Sequence, residues 1–250
     1  MSLSIQHRKF IIALCAVFLI ACSNSDTSNG SKQKIEIASN SGVYLIYQNQ
    51  EVLKSERSAI EQVIQETYSL VNSAMPVNDF DIKILTDPSQ TIPEIGIGGF
   101  NPSDSEVLIY IDPNFGELAQ SIAVELGPML AHEIHHVNRR RSVGYGTTLL
   151  EAIISEGLAD SFAIEITGID PPLWSVAVMG DELENWLDVA ENSWADTNYD
   201  HPKWFFGTSD EIPRWAGYSI GYKLVQDYLM DHSDKRPSTL FNEPADSFIQ

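Results

Sequence analysis

Ala131-His132-Glu133-Ile134-His135-His136-Val137-Asn138 is the stretch from which the rest of the chain can be read. It contains H-E-x-x-H, in which a helix offers two imidazoles to one metal ion and a carboxylate to a water. At ~100° per residue, His132 and His136 lie one turn apart on a single helical face. Glu133 sits one step round that face, beside the position a metal-bound water would take. Peptide bonds resist water until its pKa is lowered and its proton is taken. Zinc supplies the first need, and Glu133 is placed to supply the second. His135 is the ambiguous neighbour, since its spacing from His132 also permits a ligand pair. Only the i, i+4 pair leaves Glu133 in the base position, so His135 is expected to pack or to support a liganding residue.

A catalytic zinc takes three protein ligands and keeps one position open. Twenty residues after His136 comes Glu156-Gly157-Leu158-Ala159-Asp160, on what reads as the next helix. Glu156 and Asp160 share a face, and twenty residues allow a short loop and an antiparallel return. The expected metal set is therefore His132, His136 and Glu156. Asp160, one turn on, is placed to accept the second N–H of a liganding histidine and fix its tautomer. Glu151 is a rival third ligand, at the cost of a tighter loop and an idle Asp160. Leu130, Ala131, Ile134, Ala152, Ile153 and Leu158 bury these helices, where unpaired acids and imidazoles would be costly.

The elements around this pair alternate in type. Residues 32–47 read as two strands about a Ser39-Asn40-Ser41-Gly42 turn, and residues 51–74 as a helix ended by Pro76. Phe80, Ile82 and Ile84 mark a short strand. Residues 95–100, glycine-rich, read as a loop entering a strand, and Val107-Leu108-Ile109-Tyr110-Ile111 is the clearest strand in the chain. A helix over 118–126 precedes Gly127-Pro128, which opens the motif helix. Residues 138–146 read as a basic loop. Thr147 or Thr148 is expected to cap the next helix, with Glu151, three residues after Thr148, completing a capping box, and the helix stops at Gly168. An irregular, tryptophan-rich segment follows to about residue 213, with a short helix near 182–187, and a last helix spans 218–230. The class is α+β: a mixed β-sheet precedes the motif helix and a mainly helical half follows it. With no linker after residue 35, residues 35–250 read as one domain.

The N-terminus is a targeting segment. His7-Arg8-Lys9 precedes a twelve-residue apolar run at 10–21, short of the ~20 residues a spanning helix needs. The run ends in Leu19-Ile20-Ala21-Cys22 and turns at once into a Ser/Asn-rich stretch. This is similar to a bacterial lipoprotein signal: residues 1–21 are removed, Cys22 is lipidated, and residues 22–34 form a polar tether. A plain secretory signal with a stray cysteine is the alternative. Cys15 would leave with the signal, so the mature domain has neither thiol nor disulfide. The expected location is the cell envelope, held to the membrane through Cys22. Ser23 rather than Asp after the cysteine favours the outer membrane in a Gram-negative cell.

Composition narrows the partners. The chain has 43% apolar residues and 20% charged residues, with 15 Lys+Arg against 35 Asp+Glu for a net charge of −20. That is a globular composition with an acidic surface, which argues against nucleic acid and anionic lipid as partners. The acidity does not identify a substrate; the peptide or protein substrate expected here follows from the H-E-x-x-H chemistry.

AHEIHH, LLEAIISEGLADSFA, WFFG and IPRWAGYSIGYKLVQDYL together resemble a bacterial family of predicted zinc-dependent proteases within the gluzincin group of zincins. The resemblance covers most of residues 90–230, whereas residues 35–90 match only in pattern. It implies a zincin-like fold, with an edge strand beside the cleft above the motif helix; residues 107–111 are expected to be that strand. It also implies His132, His136 and Glu156 as zinc ligands and Glu133 as base. Zincins place a Tyr or His opposite the metal to stabilise the oxyanion. Tyr218 is the candidate, ahead of His201; the other reading has Tyr218 and Tyr222 merely packing, with Gly217 and Gly221 allowing close helix approach. The expected activity is zinc peptidase. The competing reading is a non-catalytic lipoprotein of the same fold that binds a peptide or partner.

Overall fold

The structure is a computed structural model that describes residues 34–49 and 51–249. The signal, Cys22 and most of the tether lie outside the described residues. Among the described residues no helix is long and apolar enough to cross a membrane.

β1 (Lys34–Glu36) and β2 (Tyr44–Tyr47) form an antiparallel hairpin about the expected turn. Asn40 and Gly42 adopt the left-handed conformation there. α1 (Arg57–Ala74) is amphipathic, burying Ile60, Ile64, Tyr68 and Val71 on one face, and carries the chain over to β3 (Asp81–Leu85), which lies parallel to β2. β4 (Ile97–Ser103) then runs antiparallel to β5 (Glu106–Ile111), and β5 inserts between β4 and β3. The result is a mixed five-stranded sheet of order β1-β2-β3-β5-β4.

This topology corrects the expected edge strand. Residues 107–111 form an interior strand, and β4, built from the glycine-rich stretch expected to be a loop entering a strand, forms the edge beside it, with β1 at the other edge. Alternate residues Val107, Ile109 and Ile111 are fully buried, as suits a strand with a neighbour on each side. β4 forms despite its weak strand propensity because its glycines admit groups that a side chain would exclude. A Cβ on Gly98 would lie 2.2 Å from the Gln90 carbonyl oxygen.

α2 (Leu118–Val124) leads into α3 (Leu126–Ser142), with Pro128 in the first turn as expected. α3 runs further than expected, and residues 139–142 are helix rather than loop. Arg139 and Arg140 and Arg141 stay helical because each finds backbone oxygens on neighbouring segments: Arg139 those of Phe241 and Glu243, Arg140 that of Asn101, and Arg141 those of Asn78, Asp79 and Asp104. α4 (Leu149–Thr167) has the Thr148/Glu151 capping box and ends at left-handed Gly168. α3 from Met129 to Arg139, and α4 from Ala152 to Ala163, are buried on all faces, so these are central helices rather than surface ones. α5 (Gly180–Glu191), α6 (His201–Phe206) and α7 (Ala216–Asp231) complete the helical half.

Two apolar clusters result. One joins the sheet with α1, α3 and the C-terminal part of α4; the other joins the N-terminal part of α4 with α6, α7 and the end of the chain. α4 belongs to both, and α7 crosses it at glycine on glycine. A Cβ on Gly157 would meet the Gly221 backbone at 2.2 Å, and one on Gly221 would meet the Ile153 carbonyl at 2.1 Å. The seam between the clusters is where the polar residues of α3 and α4 meet.

Candidate metal centre

His132 and His136 project from α3 toward Glu156 on α4, and the three offer ligand atoms within 4.8 Å of one another. The two Nε2 atoms are 3.1 Å apart, His132 Nε2 is 3.1 Å from Glu156 Oε2, and His136 Nε2 is 3.5 Å from Glu156 Oε1. All three residues are at most 6% exposed, so nothing but the protein sets their arrangement. Zinc bonds of ~2.0–2.1 Å at tetrahedral angles put ligand atoms roughly 3.3–3.4 Å apart, within a few tenths of an ångström of these spacings. The protonation chemistry agrees. His132 Nδ1 lies 2.8 Å from Asp160 Oδ1, which assigns its proton to that nitrogen and turns a lone pair on Nε2 toward its neighbours. Two imidazole lone pairs and a carboxylate converging on one point require a cation among them. The residues present therefore fit a zinc ion.

Without a metal, that cation is a proton. Burial pushes His132 down, but the hydrogen bond and charge of Asp160, joined by those of Glu156, outweigh it and hold His132 well above its usual pKa. Burial likewise pushes Glu156 up, and His136 and His132 override it and hold the carboxyl well below its usual range.

Asp160 is fully buried and saturated. Oδ1 accepts from His132 and from Trp174 Nε1 (3.0 Å), and Oδ2 accepts from Ser175 Oγ (2.6 Å). The 174–178 segment is itself pinned by α7: the Ser219 hydroxyl donates to the Trp174 carbonyl and accepts from the Val178 N–H. Trp174 and Ser175 escaped the sequence reading because they lie in its irregular segment. The one available signal was that a buried Asp needs donors beyond a single histidine.

Glu133 is 4% exposed and accepts no hydrogen bond from the described residues. Its carboxyl lies against the edge strand, where a Cβ on Gly99 would come within 2.4 Å of Glu133 Oε1. Burial, with the charge of Glu156 added and that of His132 opposed, pushes it up to about 8. A divalent cation held by the neighbouring ligands would favour the ionised form.

His135 turns away from the cluster, fully buried against Phe162 with ring centroids 5.4 Å apart and no hydrogen bond to either nitrogen. Burial holds its pKa well below the usual value, so it is a neutral packing group. Glu151 is occupied by its capping box at the N-terminus of α4 and is not part of the cluster. Tyr218 packs its ring on Phe205 (5.2 Å) and Trp174 (6.4 Å), and burial with the charges of Glu156, Asp160 and Glu133 raises its pKa well above normal. Its hydroxyl makes no hydrogen bond to the described residues, although the ring borders the site. His201 stacks on the same Phe205 at 4.3 Å, bonds Tyr199 and meets the Tyr145 ring at 6.3 Å, close enough to feel the charge of Glu156. Arg214 pairs with Glu94 and stacks on Trp215, joining the loop before β4 to the start of α7.

Tyr145 is a further residue the sequence reading missed. From the segment between α3 and α4 its hydroxyl donates to Glu156 Oε1 at 2.5 Å, and its ring meets His136 at 5.4 Å.

An α+β chain with a buried His-His-Glu group at its central seam has the donor set of a zinc protein. Residues 60–250 match the family described as "Predicted Zn-dependent protease (DUF2268)", and the chain belongs to that family. The match begins inside α1 and covers every residue of the cluster. The chain is also similar to "Uncharacterized protein YjfC" of Bacillus subtilis (strain 168), 24% identical over 204 residues, or 75% of this chain and 66% of that protein. It thus spans just under two thirds of that relative's length. No solved structure matches.

Proposed function

We propose that this chain is a zinc peptidase of the gluzincin type with a zincin-like fold in residues 35–250. The observation that carries the proposal is the convergence of His132, His136 and Glu156 beside a buried, unpaired Glu133. His132 Nε2, His136 Nε2 and the Glu156 carboxylate would hold the ion. Bound there, zinc lowers the pKa of a water and polarises the scissile carbonyl. Glu133 takes the proton and later passes it to the leaving amine. The unpartnered Tyr218 hydroxyl donates to the oxyanion, and Asp160 holds His132 in the liganding tautomer. β4, at the sheet edge and in contact with Glu133 through Gly99, is the strand to which an extended peptide would add by main-chain hydrogen bonds.

The test is Glu133→Gln, assayed on a peptide library with and without chelator. Hydrolysis should fall by about 10²–10⁴-fold with zinc content unchanged. A variant that cleaves at the wild-type rate sinks the mechanism. Wild-type protein with one tight zinc and no turnover on any peptide would favour the binding module.

Export and lipidation at Cys22 belong to the same proposal, supported by the apolar run, the small residues before Cys22 and the polar stretch after it. Cys22→Ala should release the protein from the membrane fraction; retention of the variant there would defeat the anchor.

A further inference from the structure

The segment joining α3 to α4 is built to aim one side chain inward. Gly144 (φ 87°) and Gly146 (φ 113°) flank Tyr145 in conformations that other residues rarely adopt. A Cβ on Gly146 would lie 2.2 Å from the Glu151 side chain. Between these two glycines the chain turns Tyr145 under the metal cluster, where its hydroxyl meets Glu156 Oε1 and its ring edges His136.

The backbone of Tyr145 is tied down from behind. Its carbonyl accepts from Ser155 Oγ at 2.6 Å, one residue from Glu156 on α4. Ser155 Oγ in turn accepts from Arg139 Nε at 2.9 Å, and Arg139 Nη1 donates to the carbonyls of Phe241 (3.3 Å) and Glu243 (3.0 Å). Ser155 is fully buried and Arg139 is 2% exposed. A hydrogen-bonded chain therefore runs from the C-terminal segment through α3 and α4 to the Tyr145 backbone, and the Tyr145 side chain carries it on to the carboxylate of Glu156. A cavity lined by Arg139, Tyr145, Gly146, Glu151 and Pro244 lies behind the loop. The Ser155 bond, together with the Arg140 guanidinium 5.0 Å over the Tyr145 ring, holds the loop on the site side of that cavity.

We propose that Tyr145 is a positioning residue for the metal centre, occupying one oxygen of Glu156 so that the other faces the ion, and that Ser155 and Arg139 hold it in place. The proposal rests on Glu156 being a zinc ligand. A carboxylate with both oxygens free can rotate or chelate; one oxygen held by a phenol presents the other alone. Residues that orient metal ligands in this way are worth about 10–100-fold in metal affinity.

The experiment measures zinc affinity by chelator competition and the visible d–d spectrum of the cobalt(II) protein, for wild type, Tyr145→Phe and Ser155→Ala. Thermal melts and near-ultraviolet dichroism check that each variant is folded. Tyr145→Phe keeps the ring and should bind zinc about 10–100-fold more weakly. Its cobalt bands should change in intensity, because coordination number sets that intensity and a freed Oε1 can chelate. Ser155→Ala should show a smaller loss in the same direction. A Tyr145→Phe variant with wild-type affinity and spectrum overturns the proposal. So does one that keeps both and loses only turnover, since the hydroxyl would then act on substrate. Ser155→Ala indistinguishable from wild type overturns the tether. Failure of the wild type itself to bind zinc would instead remove the metal reading on which this one stands.

Discussion

The two sides of the metal cluster are held in opposite ways. On the Asp160 side every polar atom is satisfied: the carboxylate accepts from His132, Trp174 and Ser175, and Ser219 on α7 braces the segment that carries two of those donors. On the Tyr145 side His136 Nδ1 is buried with no acceptor among the described residues, and Glu156 Oε1 meets the Tyr145 hydroxyl at 2.5 Å and His136 Nε2 at 3.5 Å. A buried imidazole N–H without an acceptor costs about 1–3 kcal/mol. His136 is therefore held by its Nε2 contacts with His132 and Glu156 and by packing against His135 and Tyr145. The difference teaches that one half of this site is saturated by its own hydrogen bonds, whereas the other depends on packing and on a single phenol held from behind by Ser155.

The largest effect should come from breaking the saturated side. Asp160→Ala strands the His132 and Trp174 N–H groups and the Ser175 hydroxyl, all buried. Each donor left unpaired costs about 1–3 kcal/mol, and relaxation should leave a net loss of about 3 kcal/mol, or roughly 6–12 °C in Tm for a domain of this size. Zinc affinity should fall as well, by about 10–100-fold. Calorimetry of the metal-free variant is the decisive measurement. An unchanged Tm would show that the Asp160 side is no better formed than the other, and the contrast would fail. Tyr145→Phe, by comparison, removes one hydrogen bond rather than stranding three donors, so it should weaken zinc with a smaller loss of metal-free Tm than Asp160→Ala.

A smaller and more selective change comes from Gly99, which touches neither side. Its added Cβ in Gly99→Ala would press on Glu133 Oε1, leaving both halves of the ligand set alone. Displacing a reacting group by about 1 Å can cost up to roughly 100-fold in rate. Peptide hydrolysis should therefore fall while zinc affinity stays at the wild-type value. Loss of zinc in this variant would mean that Glu133 is coupled to the ligands, and that the base cannot be separated from either side.

The legible part of the site follows from helix geometry. His132, Glu133, His136, Glu156 and Asp160 lie at spacings that a helix converts into faces, so their meeting needs only two adjacent helices. The capping box at Thr148 and the stop at Gly168 were equally local. Tyr145, Trp174 and Ser175 were not legible, because loops have no period and a donor's target is fixed only when distant segments pack. β4 was misread for a related reason. Glycine at 98 and 99 depresses local strand propensity, and what makes them a strand is the partner β5 on one flank and the Gln90 carbonyl and Glu133 pressing where side chains would be. Arg139, Arg140 and Arg141 looked like a solvated basic loop, yet their partners are carbonyls 37 to 104 residues away in sequence.

By itself, the sequence determined that two buried helices would bring two imidazoles and two carboxylates together, and that an apolar run ending in Cys22 stands before the domain. Both are consequences of short-range order, written in residues three, four or a few positions apart. Only the tertiary structure decided which strand borders Glu133, which donors saturate Asp160 and what holds Glu156 in place. Those contacts join segments whose separation along the chain carries no periodic signal. They exist because the two apolar clusters close on each other and leave α3 and α4 at the seam.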